Sequence, residues 1–310
     1  MKRTAIILML SIICHFSTKG SDQIREFTIV ESDTLTYTLK LVLDDSGQPQ
    51  YFFRNIFTPV CYTNECKPVH INFYWDLLGN YERFDLPEGK VLTKVDHDEF
   101  KQEDYEKLQE ILAQPNSIFA DLRMEDLITK GTDNFTDSVD AKAGATLKTI
   151  KNQVIDGAVY TCYTLWHIAY GTVVPEMKKI IENYKNDILL HRFLASNNYQ
   201  YQYWAMENVM DKKGNVQKAY EADLENIIEG RNIFIAKNAL QRVSSDFLSS
   251  QKRQEWLWKT YQKSPYALQI AILKKLKSVH VTTILASNLK SSLEKSNEEQ
   301  TSLIQQILNP

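Results

Sequence analysis

The pattern of apolar residues changes near residue 175, and this change constrains the fold more than any other feature of the chain. Before it, apolar and polar residues alternate in short runs that end in turn residues, which is typical of antiparallel strands with one buried face. After it, apolar residues recur every three or four positions, which is typical of packed helices. We therefore expect an α+β fold, with a sheet domain over residues 21–175 and an all-α domain over residues 176–310.

The first part of the chain predicts four strands and two short helices. Apolar residues alternate with polar ones from Leu35 to Leu43, and the sequence Asp-Asp-Ser-Gly that follows predicts a turn. The remaining predicted strands cover residues 51–56, 69–75 and 81–86. Helical spacing appears at residues 104–112, and residues 117–129 predict a shorter and less regular helix.

One long helix is expected to pack across this sheet. Apolar residues fall on one stripe from Leu147 to Ala169, and Gly171 and Pro175 end the pattern. The helix would begin at Thr146. Because the first turn of a helix carries unpaired N–H groups and the positive end of the helix dipole, a phosphate would be favoured there.

The second part of the chain contains an internal repeat. Residues 204–209, 238–243 and 271–276 align with each other at offsets of 34 and 33 residues. A repeat of this length, with small and apolar positions in register, is typical of stacked helix pairs. Residues 176–310 thus resemble a degenerate HEAT-type array, and the alternative is an ordinary helical bundle with chance matches.

The start of the chain predicts export. Positive charge at Lys2 and Arg3 precedes a short apolar run over residues 5–14 and a polar exit over residues 17–22, as in a signal peptide. We expect residues 1–20 to be removed and the mature chain to be periplasmic or extracellular. Lipid anchoring at Cys14 is the less favoured alternative, because Ile13 precedes this cysteine where a lipoprotein signal has a small residue. No later run reaches the ~20 apolar residues that span a membrane.

Three cysteines remain after the signal peptide. Cys61 and Cys66 are separated by four turn-like residues, so in an exported protein a local disulfide is the favoured interpretation. A metal site is the alternative, but it would need further ligands at suitable spacing. Cys162 is expected to pack in the core as a small apolar side chain.

Composition and motif content exclude several functions. A net charge of −3 provides no basic face for nucleic acid. The sequence has no nucleophile elbow, zinc-protease helix, phosphate-binding loop or dinucleotide fingerprint, so no hydrolase, protease or kinase is indicated. The run Asp96-His97-Asp98 is expected to be a loop, because no other histidine has metal-ligand spacing with it.

Residues 140–149 bear most directly on chemistry. Asp140 precedes the run Gly144, Ala145 and Thr146, and Thr149 follows. This segment resembles the flavinylation motif of FMN-binding domains in bacterial redox complexes, roughly Asp-x-x-Ser/Thr-Gly-Ala-Thr-x-Thr/Ser. The resemblance implies that a flavin transferase attaches FMN covalently, through its phosphate, to Thr146.

The match to this motif is incomplete at two positions. Ala143 stands where the family has Ser or Thr, and Lys148 stands where a second hydroxyl is common, with Thr149 one residue later. The resemblance implies that Asp140 serves the transferase, through recognition or through its metal, rather than contacting the bound flavin. Residues 154–167 are also similar to the continuation found in secreted bacterial proteins of this type.

Two functions follow from these features. One is an extracytoplasmic FMN-binding electron-transfer relay, whose helical domain docks a redox or protein partner. The other is a non-catalytic secreted interaction protein that keeps the fold without flavin; Ala143 favours this second function. In the flavoprotein, Tyr74, Trp75 and Tyr81 would offer aromatic surface to the flavin ring, although sheet aromatics more often form the core.

Overall fold

Five strands form one antiparallel sheet in which each strand pairs with the next along the chain. The computed structural model describes residues 23–33, 35–60, 67–94, 97–129, 145–146 and 153–309. The five strands are β1 Gln23–Ser32, β2 Leu35–Leu43, β3 Pro49–Thr58, β4 Val69–Trp75 and β5 Tyr81–Asp85. The strands β2 to β5 confirm the four predicted strands, and β1 is an additional edge strand whose residues are mostly exposed.

One face of this sheet forms the core. Leu39, Phe52, Ile71, Phe73 and Trp75 have no exposed surface. They alternate with accessible residues along their strands because successive side chains point to opposite faces. Burial of large apolar side chains of this kind stabilises the fold by about 1.5–3 kcal/mol each.

Two helices lie wholly within the same unit as the sheet: α1 Gln102–Leu112 and α2 Val159–Tyr170. The indole N–H of Trp75 donates to the carbonyl of Ala169 at 2.9 Å, which joins the sheet to α2. The hydroxyl of Tyr170 donates to the carbonyl of Leu112 at 2.7 Å, which joins α2 to α1. The prediction of a single helix over residues 117–129 is wrong. Extended backbone at Leu122 and Arg123 separates two 3₁₀ turns, Ile118–Asp121 and Met124–Asp126, and a short strand follows.

The helix predicted to begin at Thr146 is also shorter than expected. The strand β6 Ile128–Thr129 pairs antiparallel with β7 Ala145–Thr146, so Thr146 lies in a short strand. The helix α2 begins only at Val159. Before it, the backbone N–H of Ala158 closes a turn onto the carbonyl of Ile155, and Gly157 has a φ of 71°. That left-handed conformation ends α2 on its N-terminal side, so the helix expected from Thr146 to Ala169 is not continuous.

The chain divides into two units, residues 1–181 and 182–310. The boundary predicted near residue 175 falls inside the helix α3 Val173–Asn183.

Eight helices of the second unit contact each other as four successive pairs. The second helices of neighbouring pairs are also in contact, and the three aligned sequence segments lie on the second helices of the first three pairs. The helices are α4 Asp187–Leu194, α5 Tyr199–Val209, α6 Glu221–Glu229, α7 Ile233–Arg242, α8 Gln251–Lys263, α9 Tyr266–Leu276, α10 Thr283–Ser292 and α11 Glu298–Leu308.

Polar contacts between neighbouring pairs recur at similar sequence separations. The hydroxyl of Tyr220 donates to Asp187 at 2.6 Å, and these residues are 33 positions apart. The hydroxyl of Tyr266 donates to Glu299 at 2.6 Å, also across 33 positions. These two contacts join the first pair to the second and the third pair to the fourth.

Candidate functional site

The part of the FMN motif that the structure describes is limited to the backbone of Ala145 and Thr146. This backbone is held by pairing of Thr146 with Ile128 and of Ala145 with Thr129. The continuous helix expected from Thr146 is therefore wrong, whereas the expectation that a helix N-terminus favours a phosphate there stays a prediction, because residues 147–152 lie outside the described residues. The motif residues Asp140, Ala143, Gly144 and Thr149 lie outside the described residues.

The cysteine pair and the signal peptide also lie outside the described residues, so Cys61, Cys66 and Cys14 stay predictions. The third mature cysteine, Cys162, is a free and fully buried thiol in α2, as predicted. Burial raises the pKa of this thiol to about 12. A buried thiol with a raised pKa is a poor nucleophile, which agrees with the packing of Cys162 in the core.

The aromatic residues considered as flavin contacts are distributed over both faces of the sheet. Trp75 has no exposed surface. Tyr81 is 9% exposed, and its hydroxyl donates a hydrogen bond to Gln109 Oε1 at 2.9 Å. Tyr74 lies on the opposite face, stacked against Phe53 with 5.9 Å between ring centroids. Trp75 and Tyr81 are therefore core residues, and the three do not form one aromatic wall.

A cavity of about 290 Å³ lies in the first unit, between β2, β3 and α2. We call it the Arg54 cavity. Apolar side chains form much of its wall, and its polar groups come from both the sheet and α2. The residues that line it include Glu31, Leu35, Tyr37, Arg54, Met124, Tyr163, His167, Ile168, Thr172 and Val173.

Arg54 occupies a position of β3 that normally holds an apolar residue. Its neighbours on the same face, Phe52 and Ile56, are 0% and 4% exposed. The Nε atom of Arg54 is buried without a hydrogen-bond partner, and the guanidinium has no ion pair among the described residues. Burial lowers the pKa of Arg54, while the nearby Tyr37 and Glu31 oppose that shift.

Tyr37 is the second buried polar residue of the cavity. It is 9% exposed, and its hydroxyl makes no hydrogen bond of normal geometry. The guanidinium carbon of Arg54 lies 3.5 Å from the centre of the Tyr37 ring, a cation–π contact that holds the two groups together. Burial raises the pKa of Tyr37, against the effects of the Thr172 hydroxyl and the Arg54 charge. Tyr37 is therefore a neutral hydrogen-bond donor at physiological pH.

The other polar side chains of the cavity wall are already bonded. The hydroxyl of Tyr163 donates to the carbonyl of Leu122 at 3.0 Å. His167 Nε2 lies 3.1 Å from the carbonyl of Phe119. Since a carbonyl only accepts, this nitrogen carries the proton. At the rim, Thr172 donates to Glu31 at 2.8 Å.

The imidazole of His167 should make the first unit sensitive to acid. Burial lowers the pKa of His167, although the bond to Phe119 opposes the shift. The folded state thus binds fewer protons here than the unfolded chain, whose His pKa is about 6.5. The neutral imidazole therefore contributes fully to the stability of the folded state above that pH, and this contribution is lost as the pH falls through the folded-state pKa of His167. We expect His167→Gln to reduce the loss of thermal stability between about pH 7.5 and 5.5; parallel pH curves for both proteins would contradict this.

Sequence reasoning did not identify Arg54 or Tyr37. A usable signal was present, because a strand over residues 51–56 places Arg54 on the same face as Phe52 and Ile56. A charged residue at a core-facing strand position is rare unless it has a partner. That its partner is missing could be learned only from the structure.

Comparisons of the chain with protein-family models, with curated proteins and with solved structures find no match. The resemblance to FMN-binding domains therefore stays a prediction. Within the described part of the chain, no helix is long and apolar enough to cross a membrane. The same residues contain no cluster of three His, Cys, Asp or Glu side chains that could hold a metal ion.

Proposed function

We propose that this chain is an extracytoplasmic FMN-binding protein, with the flavin attached through its phosphate to Thr146, and that it serves as an electron-transfer relay. The observation that carries the proposal is the pattern from Asp140 to Thr146. FMN supplies one- and two-electron redox chemistry when it is bound. The chain contributes the attachment point, and its helical unit offers a surface for a redox partner.

The described backbone is compatible with a covalent link. A phosphoester needs the Thr146 hydroxyl and access for the transferase, and neither requirement depends on a helix N-terminus. Pairing of β7 with β6 fixes the backbone of the attachment residue. The core residues Trp75 and Tyr81 do not fit as flavin contacts, because a bound ring could not reach them.

Coexpression with a flavin transferase tests this function. We expect yellow wild-type protein that keeps its colour after denaturation, because the link is covalent. Thr146→Ala should abolish covalent loading, whereas Thr149→Ala, which removes the other nearby hydroxyl, should retain it. Ala143→Ser should leave loading unchanged or increase it. Colourless protein from both the wild type and Ala143→Ser would contradict the proposal.

The second candidate is a non-catalytic interaction protein, and the helical unit favours it. Three successive second helices each carry an exposed aromatic residue in their first turn: Tyr199 on α5, Phe234 on α7 and Tyr266 on α9, which are 52%, 76% and 46% exposed. Exposed aromatic residues that recur along an array suit a protein partner. This function needs no flavin, so the absence of loading in the coexpression experiment would leave it as the better candidate.

A further inference from the structure

We propose that the Arg54 cavity is a binding site for a small organic monocarboxylate. The inference does not depend on the proposed flavin, because the cavity is formed by residues other than the FMN motif.

The first argument is the state of Arg54. Taking a guanidinium out of water is unfavourable unless an anion or several hydrogen-bond acceptors replace the lost hydration. Arg54 is partly buried on the core face of β3 and lines the cavity, and it has no ion pair among the described residues, although the charge of Glu31 is near. Arginine stays protonated at physiological pH even when its pKa is lowered. An anion that enters the cavity would supply the ion-pair partner.

The second argument is the pairing of Arg54 with Tyr37. The ring of Tyr37 holds the guanidinium carbon at 3.5 Å, so the terminal nitrogens of Arg54, which make no hydrogen bond to the described residues, are fixed at the cavity wall. A carboxylate accepts two parallel N–H bonds from a guanidinium. The polar side chains of Tyr163, His167 and Thr172 are bonded to backbone or to Glu31. The guanidinium therefore matches one carboxylate.

The third argument concerns the net charge and shape of the ligand. Glu31 lines the same cavity, and its charge would oppose a dianion such as phosphate more than a monoanion. Leu35, Met124 and Ile168 supply apolar wall for the body of the ligand. A volume of about 290 Å³ is at the lower end of ligand pockets, so the ligand is small.

The chain contains a matched control for Arg54. Arg83 also stacks on a tyrosine, with its guanidinium carbon 3.6 Å from the centre of the Tyr74 ring. Arg83 differs in having a carboxylate partner, Asp85, at 3.0 Å. It does not line the Arg54 cavity. Arg83→Gln therefore removes an equivalent side chain without touching the proposed site.

The test uses the full chain expressed without a flavin transferase. Benzoate and hexanoate are titrated by calorimetry and thermal shift, with benzamide and inorganic phosphate as comparison ligands. We expect both carboxylates to bind and to raise the melting temperature, because a ligand of the folded state alone stabilises it. Benzamide should not bind detectably, and phosphate should bind at least tenfold more weakly than benzoate.

The variants separate a binding role from a structural one. Arg54→Gln should weaken benzoate binding at least tenfold, whereas Arg83→Gln should leave it unchanged. In the free protein, Arg54→Gln should lower the melting temperature only slightly, because it gives up the contact with the Tyr37 ring but no ion pair among the described residues. If this variant fails to fold, NMR of the wild-type protein provides the test: benzoate should shift signals of Tyr163 and His167.

Four results would overturn the proposal. They are no binding of either carboxylate, equal binding of benzamide, tighter binding of phosphate, and unchanged benzoate affinity in Arg54→Gln. None of them bears on covalent flavin at Thr146, and colourless protein in the coexpression experiment would leave the carboxylate site untouched.

Discussion

Trp75→Ala should cost the sheet unit about 3–5 kcal/mol of stability, one of the two largest effects expected for a single substitution in this chain. Trp75 has no exposed surface, so truncation leaves a large cavity. The substitution also removes the indole N–H that donates to the Ala169 carbonyl at 2.9 Å, so the hydrogen bond that joins β4 to α2 is lost. Urea unfolding followed by hydrogen–deuterium exchange measures this loss, because peptides of the sheet are resolved from those of the helical unit.

Phe57→Ala is the control for this prediction. Phe57 lies on the same sheet and is 65% exposed, with its ring 4.3 Å from that of His70. Replacing it should change stability by roughly 0.5 kcal/mol or less, as for other surface substitutions. Equal losses for the two variants would show that Trp75 is not the core residue described here.

Gly214→Ala should destabilise the helical unit by roughly 2–5 kcal/mol. Gly214 has a φ of 81°, and a Cβ atom there would lie 2.0 Å from the carbonyl oxygen of Arg242 and 2.8 Å from the backbone nitrogen of Ser244. Both are backbone atoms at the end of α7, so neither can move without disturbing the bond from Ser244 N–H to the Gly214 carbonyl. Hydrogen–deuterium exchange of the peptides that cover α5 to α7 would measure this loss of stability.

Gly47→Ala separates the steric clash from the backbone conformation. Gly47 has a similar φ of 76°, but a Cβ atom would meet no other atom within 4 Å. Its substitution should therefore cost only about 1 kcal/mol, which is the contribution of the left-handed conformation. A Gly214 variant no less stable than the Gly47 variant would contradict the packing described for the loop between α5 and α6.

The predictable part of the fold was the part with strict periodicity. The alternation from Leu35 to Leu43 and over residues 69–75 gave β2 and β4, because one buried face imposes a period of two. The turn at Asp44 was also predicted from the sequence. The Asp44 carboxylate accepts hydrogen bonds from the backbone N–H groups of Ser46 and Gln48, each at 2.9 Å. The edge strand β1 was missed because little of it is buried.

The start of the helix before Gly171 was predicted wrongly because the apolar stripe was followed too far back. Asp156 and Gly157 form a turn-forming pair inside the stripe, and Gly157 adopts the positive φ that such a turn requires. The aligned segments at offsets of 34 and 33 residues lie on the second helices of three successive pairs, and the HEAT-type resemblance drawn from them stays a prediction.

The candidate sites differ in how far a sequence can reveal them. The resemblance to the FMN motif rests on the contiguous residues 140–146, so it can be noticed without a structure, and it stays a prediction. The Arg54 cavity brings together residues from β2, β3 and α2. Its central feature is a guanidinium without an ion pair among the described residues, and no local sequence pattern reports an absent partner.

The intact mass of the exported protein, purified from cells that contain a flavin transferase, tests the flavoprotein function most directly. We expect the mass of the chain without its signal peptide, increased by one FMN joined with loss of water. Peptide mapping should place this increase on the segment that contains Thr146, and Thr146→Ala should lack it. An unmodified wild-type mass, in cells where the transferase modifies an acceptor with the complete motif, would contradict the proposed function.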